Sequence, residues 1–244
     1  MTIDGRRRAF LKEMGIDVWE RRAAPEAAVA IADDSGPAGT ADRGGDGADH
    51  AGRVAAMDWD ALAQAVAACR RCPLADTRSN TVFGVGDRQA RWMIVGEAPG
   101  AEEDRQGEPF VGRAGRLLNS MLAAVGLERE SVYIANILKC RPPDNRDPKP
   151  EEEHACRDYL ERQIRLLRPR LILAVGRIAA QGLLKVDTPI GRMRGRRYEY
   201  QDLGIPVVVT YHPAYLLRSP LEKRKAWQDL IFARSICPPL GASA

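Results

Sequence analysis

Residues Gly96 to Gly112 read GEAPGAEEDRQGEPFVG and directly follow the short run RWMIV, Arg91 to Val95. An apolar run that ends in a Gly/Pro-rich turn, with Leu117, Leu118, Met121, Leu122 and Val125 following at helical spacing, describes the carboxyl end of a strand in an α/β sheet. Ligands bind at such strand ends. Glu97, Glu102, Glu103 and Asp104 crowd this turn beside Phe110, so it offers carboxylates for polar chemistry and an aromatic face for stacking. Alone, the stretch also reads as an acidic solvated loop; the residues downstream weigh against that.

Working outward, the first strand covers Trp92 to Val95 and its helix runs to Val125, where Gly126 is a natural stop. A second strand, Val132 to Leu138, ends at Lys139 and Cys140. After RPPDNRDPKP comes a helix opened by Pro150, with Glu151 to Glu153 in its first turn, where acids suit the helix dipole, continuing to about Leu167. The third strand is Leu171 to Val175, followed by Gly176 and a short helix. The connection GRMRGRRYEY leads to a fourth strand, Pro206 to Thr210, and then to Tyr211, His212 and Pro213. Ser219, Pro220, Leu221 and Glu222 have a capping-box pattern for the last helix. Upstream, Asp58 caps a helix with Trp59, Leu62 and Val66 on one stripe, which runs into Cys69 and Cys72. Four short apolar strands alternating with helices predict an α/β fold of three layers, α/β/α, around a four-stranded, largely parallel sheet.

With 244 residues, 45% of them hydrophobic and 29% charged, the chain can bury one main core. That core is expected over residues 56–240. Residues 1–55 read as a short N-terminal helix (Phe10, Leu11, Met14, Ile16, Val18, Trp19) and an Ala/Gly/Asp-rich linker whose composition cannot offset its ordering entropy. The net charge of +4 is small, yet Arg192, Arg194, Arg196 and Arg197 lie together, which suits an enzyme that touches an anionic polymer on one face. No secretory h-region opens the sequence and no run approaches the roughly 18 apolar residues of a membrane span. The expectation is a cytoplasmic protein without membrane contact.

The cysteines fall as Cys69-x-x-Cys72, then Cys140 and Cys156, with Cys237 left over as a packed or exposed thiol. In a reducing compartment this spacing argues for a four-thiolate site, fitting zinc or an iron–sulfur cluster alike, with unrelated buried thiols as the alternative. A redox CxxC would open a helix; this one closes a helix. The strand ends bring a second constellation: in a parallel sheet Glu97, Asn136 and His212 emerge at one edge, so a carboxylate, a carboxamide and an imidazole converge on one small ligand, with Phe110 as stacking wall.

GEAPGAEEDRQGEPFVGRAGRLLN, YIANILKCRPP, LILAVG and HPAYLL resemble, in order and spacing, the iron–sulfur (family 4) uracil-DNA glycosylases over about Trp59 to Ile236. The resemblance implies excision of uracil from single- or double-stranded DNA by a single chain, and a [4Fe–4S] cluster on Cys69, Cys72, Cys140 and Cys156. It places Phe110 against uracil, Asn136 on its pairing edge and His212 at O2, with Gly96, Ala98 and Glu103 completing the substrate site. The better-known uracil-DNA glycosylases have an aspartate at Ala98, so water positioning must come from elsewhere; Glu97 and His212 are the expected catalytic pair. Tyr215, Leu216 and Leu217 either wedge into the vacated base stack or pack at a helix start. The four clustered arginines are expected to grip phosphates on the cysteine side of the site. A repair or replication partner for the N-terminal segment, and a non-catalytic nucleic-acid-binding module as the alternative function, complete the expectations.

Overall fold

The chain is described by a computed structural model over residues 46–239. The N-terminal helix and most of the linker expected before that point lie outside the described residues. Helices α1 (Asp46–Ala56), α2 (Trp59–Ala67) and α3 (Leu74–Thr77) come first. Then follow β1 (Val85–Gly86), β2 (Trp92–Gly96), α4 (Ala101–Gln106), α5 (Arg113–Ala124), β3 (Tyr133–Asn136), α6 (Pro150–Leu167), β4 (Leu171–Val175), α7 (Arg177–Leu184), α8 (Ile190–Met193), β5 (Arg197–Tyr200), β6 (Ile205–Thr210), α9 (Pro213–Arg218) and α10 (Lys223–Ile236).

The sheet has the order β1-β3-β2-β4-β6-β5. Its four central strands are those expected, and they pair in parallel throughout. Six strands rather than four result because β1 and β5 add antiparallel edges. Neither edge had an apolar signal: β1 is two residues long and β5 reads RYEY, the short and charged character that suits an unpaired edge. The central strands are buried on both faces. Met93, Val95, Ala135, Ile172, Ala174, Val207 and Val209 face Leu160 and Ile164 of α6 and Leu183 of α7. Trp92, Ile94, Ile134, Leu173, Val175 and Val208 face Leu118 and Leu122 of α5, Leu216 of α9 and Leu230 of α10. Period-two alternation thus builds three layers from continuous apolar runs.

Asp58 caps α2 as expected, its carboxylate accepting from the Asp60 and Ala61 N–H groups at 3.1 and 2.9 Å. The linker ends earlier than expected. Val54 of α1 is buried with Leu62, Val66 and Tyr159, so one apolar side chain meeting a surface supplied by α2 and α6 orders a helix that composition alone assigned to a linker. The capping box at Ser219 is also corrected. His212 caps α9 instead, Ser219 makes no side-chain cap bond, and α10 starts only at Lys223 after the turn Pro220–Glu222. No helix among the described residues is long and apolar enough to cross a membrane.

Candidate active site

Parallel register sets Gly96 beside Asn136 and Val175 beside Thr210, so the segments that follow these residues open on one edge of the sheet. There a cleft of about 440 Å³ is lined by Glu97, Ala98, Glu103, Phe110, Asn136 and His212, with Asn145, Arg146 and Asp147 from the Pro-rich loop and Tyr215 and Arg218 from α9. Every residue expected to touch a small ligand lines this cleft except Gly96, which lies beneath it.

Phe110 is buried and has a left-handed backbone, φ 54°, uncommon for a residue with a side chain. Three groups hold it there. Arg129 donates to the carbonyls of Phe110 and Pro109 at 3.2 and 2.6 Å. Gly115 leaves room for the Phe110 carbonyl where any Cβ would collide. Glu103 accepts from the N–H groups of Gly100, Val111 and Gly112 at 3.2, 3.1 and 3.3 Å, bracing the loop on both sides of the ring. Glu103 thus lines the cleft while both its oxygens brace the loop that carries Phe110.

The Phe110 ring lies 5.6 Å from that of His212, the planes inclined by 31°. Against its edge sits Gly96: a Cβ there would stand 2.6 and 2.7 Å from Phe110 Cζ and Cε2 and would strike Asn136 Oδ1. Asn136 is 2% exposed, and its Oδ1 has no hydrogen-bond partner among the described residues. A buried acceptor left unpaired typically costs about 1–3 kcal/mol, so an orphan at the wall of a cleft marks a place for a ligand donor.

His212 Nδ1 accepts from the Ala214 N–H at 3.1 Å, which assigns the proton of the neutral ring to Nε2. Burial, helped by the Arg218 charge and opposed by Glu103, holds its pKa down at about 4, so the ring is a neutral donor at pH 7. Gly176, φ 103°, makes the space, since a Cβ there would lie 3.1 Å from His212 Cβ. For Glu97 burial comes first and the Asp147 and Glu153 carboxylates add to it, raising its pKa to about 7 against the pull of Arg177. Asp147 pairs with Arg177 at 2.6 Å, whereas the Glu97 carboxylate has neither hydrogen bond nor ion pair among the described residues. Ala98 contributes a methyl group.

Behind β3, Cys69, Cys72, Cys140 and Cys156 line one cavity together with Arg71, Arg78 and Lys139. They come from three segments: the turn between α2 and α3, the loop after β3, and α6. Among the described residues no three Cys, His, Asp or Glu side chains are grouped for a single metal ion. Burial pushes the Cys156 thiol up to about 12 and those of Cys72 and Cys140 upward, so this all-sulfur set needs positive charge to ionise together. Cys237 lies apart, buried in the core of the opposite layer.

The uracil DNA glycosylase superfamily model matches residues 83–231, from Phe83, whose carbonyl accepts from Lys139 Nζ, through most of α10. The chain belongs to this superfamily. The type-4 uracil-DNA glycosylase of Archaeoglobus fulgidus is 46% identical over 184 residues, 73% of this chain and 92% of that protein. The type-4 enzyme of Pyrobaculum aerophilum is 43% identical over 180 residues, covering 71% and 92%. A type-5 uracil-DNA glycosylase of Thermus thermophilus is 35% identical over 160 residues, covering 52% and 73%.

Two expectations for the DNA face of this glycosylase-superfamily chain are corrected. Leu216 is 1% exposed and packs beneath α9, so it is core; Leu217 and above all Leu221, 92% exposed, are the apolar side chains that reach solvent there, while Tyr215 stays in the cleft wall. Arg194 grips Asp229 with two bonds of 2.7 and 3.0 Å, donates to the Lys225 carbonyl and lies 4.4 Å over the Tyr211 ring. It is a partly buried brace between the connection and α10. Arg192 and Arg196 remain exposed, and Arg197 pairs with Glu199. The run sits on the α10 side, because β5 lies at the sheet edge beyond β6, far from the cysteines that follow β3. Sequence reasoning missed Gly115, Arg129 and Gly176; the one available signal was a glycine directly after a strand, shared by Gly176 and the end of β2.

Proposed function

We propose that this chain hydrolyses the N-glycosidic bond of deoxyuridine in DNA, releasing uracil and leaving an abasic site for base excision repair. The observation that carries the reading is the buried, unpaired Asn136 Oδ1 beside the Phe110 ring and His212 in one cleft. The target base must leave the duplex stack, at a cost of a few kcal/mol, and regains contact by stacking on Phe110. The Asn136 carboxamide offers one acceptor and one donor, matching uracil N3–H and O4; cytosine presents the opposite pair. The missing side chain at Gly96 lets ring and amide converge closely enough to grip one pyrimidine.

When the bond from C1′ to N1 breaks, its electron pair leaves with the base and the sugar becomes oxocarbenium-like. His212 is suited to stabilise that departing anion: its Nε2–H donates towards O2, and a ring held neutral neither pays for charging nor gives its proton away. Water must then attack C1′ and lose a proton. Glu97 is the wall carboxylate free of backbone and arginine, and its pKa near 7 suits a base at neutral pH. Glu97 thus takes the water-directing place that Ala98 cannot fill.

Cys69, Cys72, Cys140 and Cys156 would hold a [4Fe–4S] cluster. Four cysteine sulfurs from three segments line one cavity, and as thiolates they would supply one ligand to each iron of such a cluster. The cluster would cross-link α2, α6 and the loop after β3. That loop stays in register with the pocket, since Ile137 and Leu138 N–H donate to the Gly96 and Glu97 carbonyls and Lys139 Nζ to that of Asn136. For DNA contact, Arg218 at the cleft wall and the exposed Arg192 and Arg196 are the phosphate ligands, and Leu221 with Leu217 fills the space the base vacates. The chain is read as a monomer at work in the cytoplasm; a partner for the N-terminal segment rests on residues outside those described.

The test is release of free base from an oligonucleotide carrying one uracil, beside matched strands with thymine or cytosine at that place. Free uracil and an alkali-labile site are expected from the first strand alone. Binding without release of any base would instead make the chain a non-catalytic nucleic-acid-binding module.

A further inference from the structure

We propose that Arg78 is a positioning residue for the group held by the four cysteines: its guanidinium fastens the CxxC turn to Cys140 and aims a charged N–H at that one sulfur. The inference rests on the cluster reading above. Three cations line the cysteine cavity, and two are committed to oxygen. Arg71 donates to the Ala155 carbonyl at 2.9 Å and pairs with Asp158 at 3.4 Å. Lys139 Nζ donates to the Phe83 and Asn136 carbonyls and to Gln163 Oε1, at 3.3, 3.0 and 2.7 Å. Arg78 pairs with no carboxylate among the described residues. Its Nη2 donates to the Cys69 and Ala67 carbonyls at 2.7 and 3.3 Å, and its Nη1 to Cys140 Sγ at 3.0 Å.

Local structure explains how it gets there. Arg78 closes α3, its N–H donating to the Leu74 carbonyl, and this single turn after the CxxC folds the side chain back over the end of α2. The planar fork then spans residues 9 and 62 positions away in sequence. A guanidinium keeps its charge at every working pH, so Cys140 has a permanent donor that favours the thiolate over the thiol. Hydrogen bonds and charge at ligand sulfurs set cluster reduction potentials, and partners that orient metal ligands typically account for a ten- to hundredfold difference in metal affinity. Arg78 therefore holds two ligand segments together and biases the site towards its more reduced state.

The experiment uses the full chain purified anaerobically, as the wild type and as Arg78→Met and Arg78→Lys. Iron and sulfide content, iron release to a chelator and midpoint reduction potential are measured. Arg78→Met should lose iron about ten- to a hundredfold faster and have a more negative potential. Arg78→Lys, which keeps the charge without the fork, should regain the potential more fully than the release rate. Unchanged release and potential in both variants would overturn the proposal; so would faster release at an unmoved potential, the mark of a backbone brace alone. If Arg78→Met does not fold, Arg78→Lys decides by its release rate, wild-type retention refuting the fork. A wild type carrying zinc and no iron would sink the cluster reading by itself. Zinc release from the same variants would then decide Arg78, faster loss supporting it and equal loss refuting it.

Discussion

Replacing Gly96 by alanine tests the pocket at its tightest point. The added methyl would stand 2.6 Å from Phe110 Cζ and collide with Asn136 Oδ1, and ordinary contact begins at 3.4 Å, so ring and amide must each retreat by about 0.8 Å or more. Gly96 ends β2 paired with Asn136, its carbonyl accepts from the Ile137 N–H at 3.0 Å, and the preceding Val95 is paired on both sides, so its backbone has little freedom to move instead. Overpacking of this kind typically costs about 1–3 kcal/mol, within reach of a stable fold. The catalytic cost is larger, because a misplacement near 1 Å in a positioned site is worth about a hundredfold in rate. Single-turnover release of uracil should therefore fall about a hundredfold, with a modest drop in melting temperature. Gly191, around which a Cβ would meet nothing within 4 Å, provides the control: Gly191→Ala should match the parent in both measurements. A Gly96→Ala enzyme that excises uracil at the parental rate would refute the close convergence of Phe110 and Asn136 as the basis of recognition.

Five further outcomes are expected. His212→Ala should bind uracil-DNA nearly as well as the parent but excise it about a hundred- to a thousandfold more slowly, the usual consequence of removing one preorganised donor; an unchanged single-turnover rate would assign the leaving group to other donors. The rate should rise with pH through about 7 as Glu97 ionises, and this limb should vanish in Glu97→Gln; its persistence would clear Glu97 of the base role. In stability the His212 contribution also grows with pH: an unfolded histidine takes up a proton near pH 6.5 while the folded one resists to about 4, so this contribution is full above pH 6.5 and is lost as pH falls towards 4, measurable as a smaller acid loss in His212→Gln. Leu221→Ala should slow excision from duplex more than from single-stranded DNA at unchanged melting temperature, whereas Leu216→Ala should destabilise the fold by about 2–5 kcal/mol; equal effects on both DNA forms would remove Leu221 from the wedge. Neutralising Arg192 and Arg196 should reduce the salt slope of DNA binding by about one to two units, while Arg194→Ala should act mainly on thermal stability through the orphaned, buried Asp229; a slope unchanged by the first pair would return them to the solvated surface.

The sequence by itself determined the parallel centre of the sheet, since four aliphatic runs buried on both faces can only sit between helical layers. It determined, too, that Glu97, Asn136 and His212 share an edge, because parallel strands all end on one side. The CxxC with two later cysteines, and the capping role of Asp58, were legible as local chemistry. Tertiary structure alone decided what depends on distant partners. The order of α1 hangs on Val54 finding Tyr159 of α6. Arg194 is withdrawn from the surface by a carboxylate 35 residues away, and a charge run in sequence carries no sign of such a partner. Leu216 and Leu221 are the same letter, yet one faces the core beneath α9 and the other stands on a turn after Pro220 breaks the helix. The left-handed Phe110 is held by Arg129 and Gly115, each unremarkable in its own segment, because a strained backbone survives only where packing from elsewhere over-determines it.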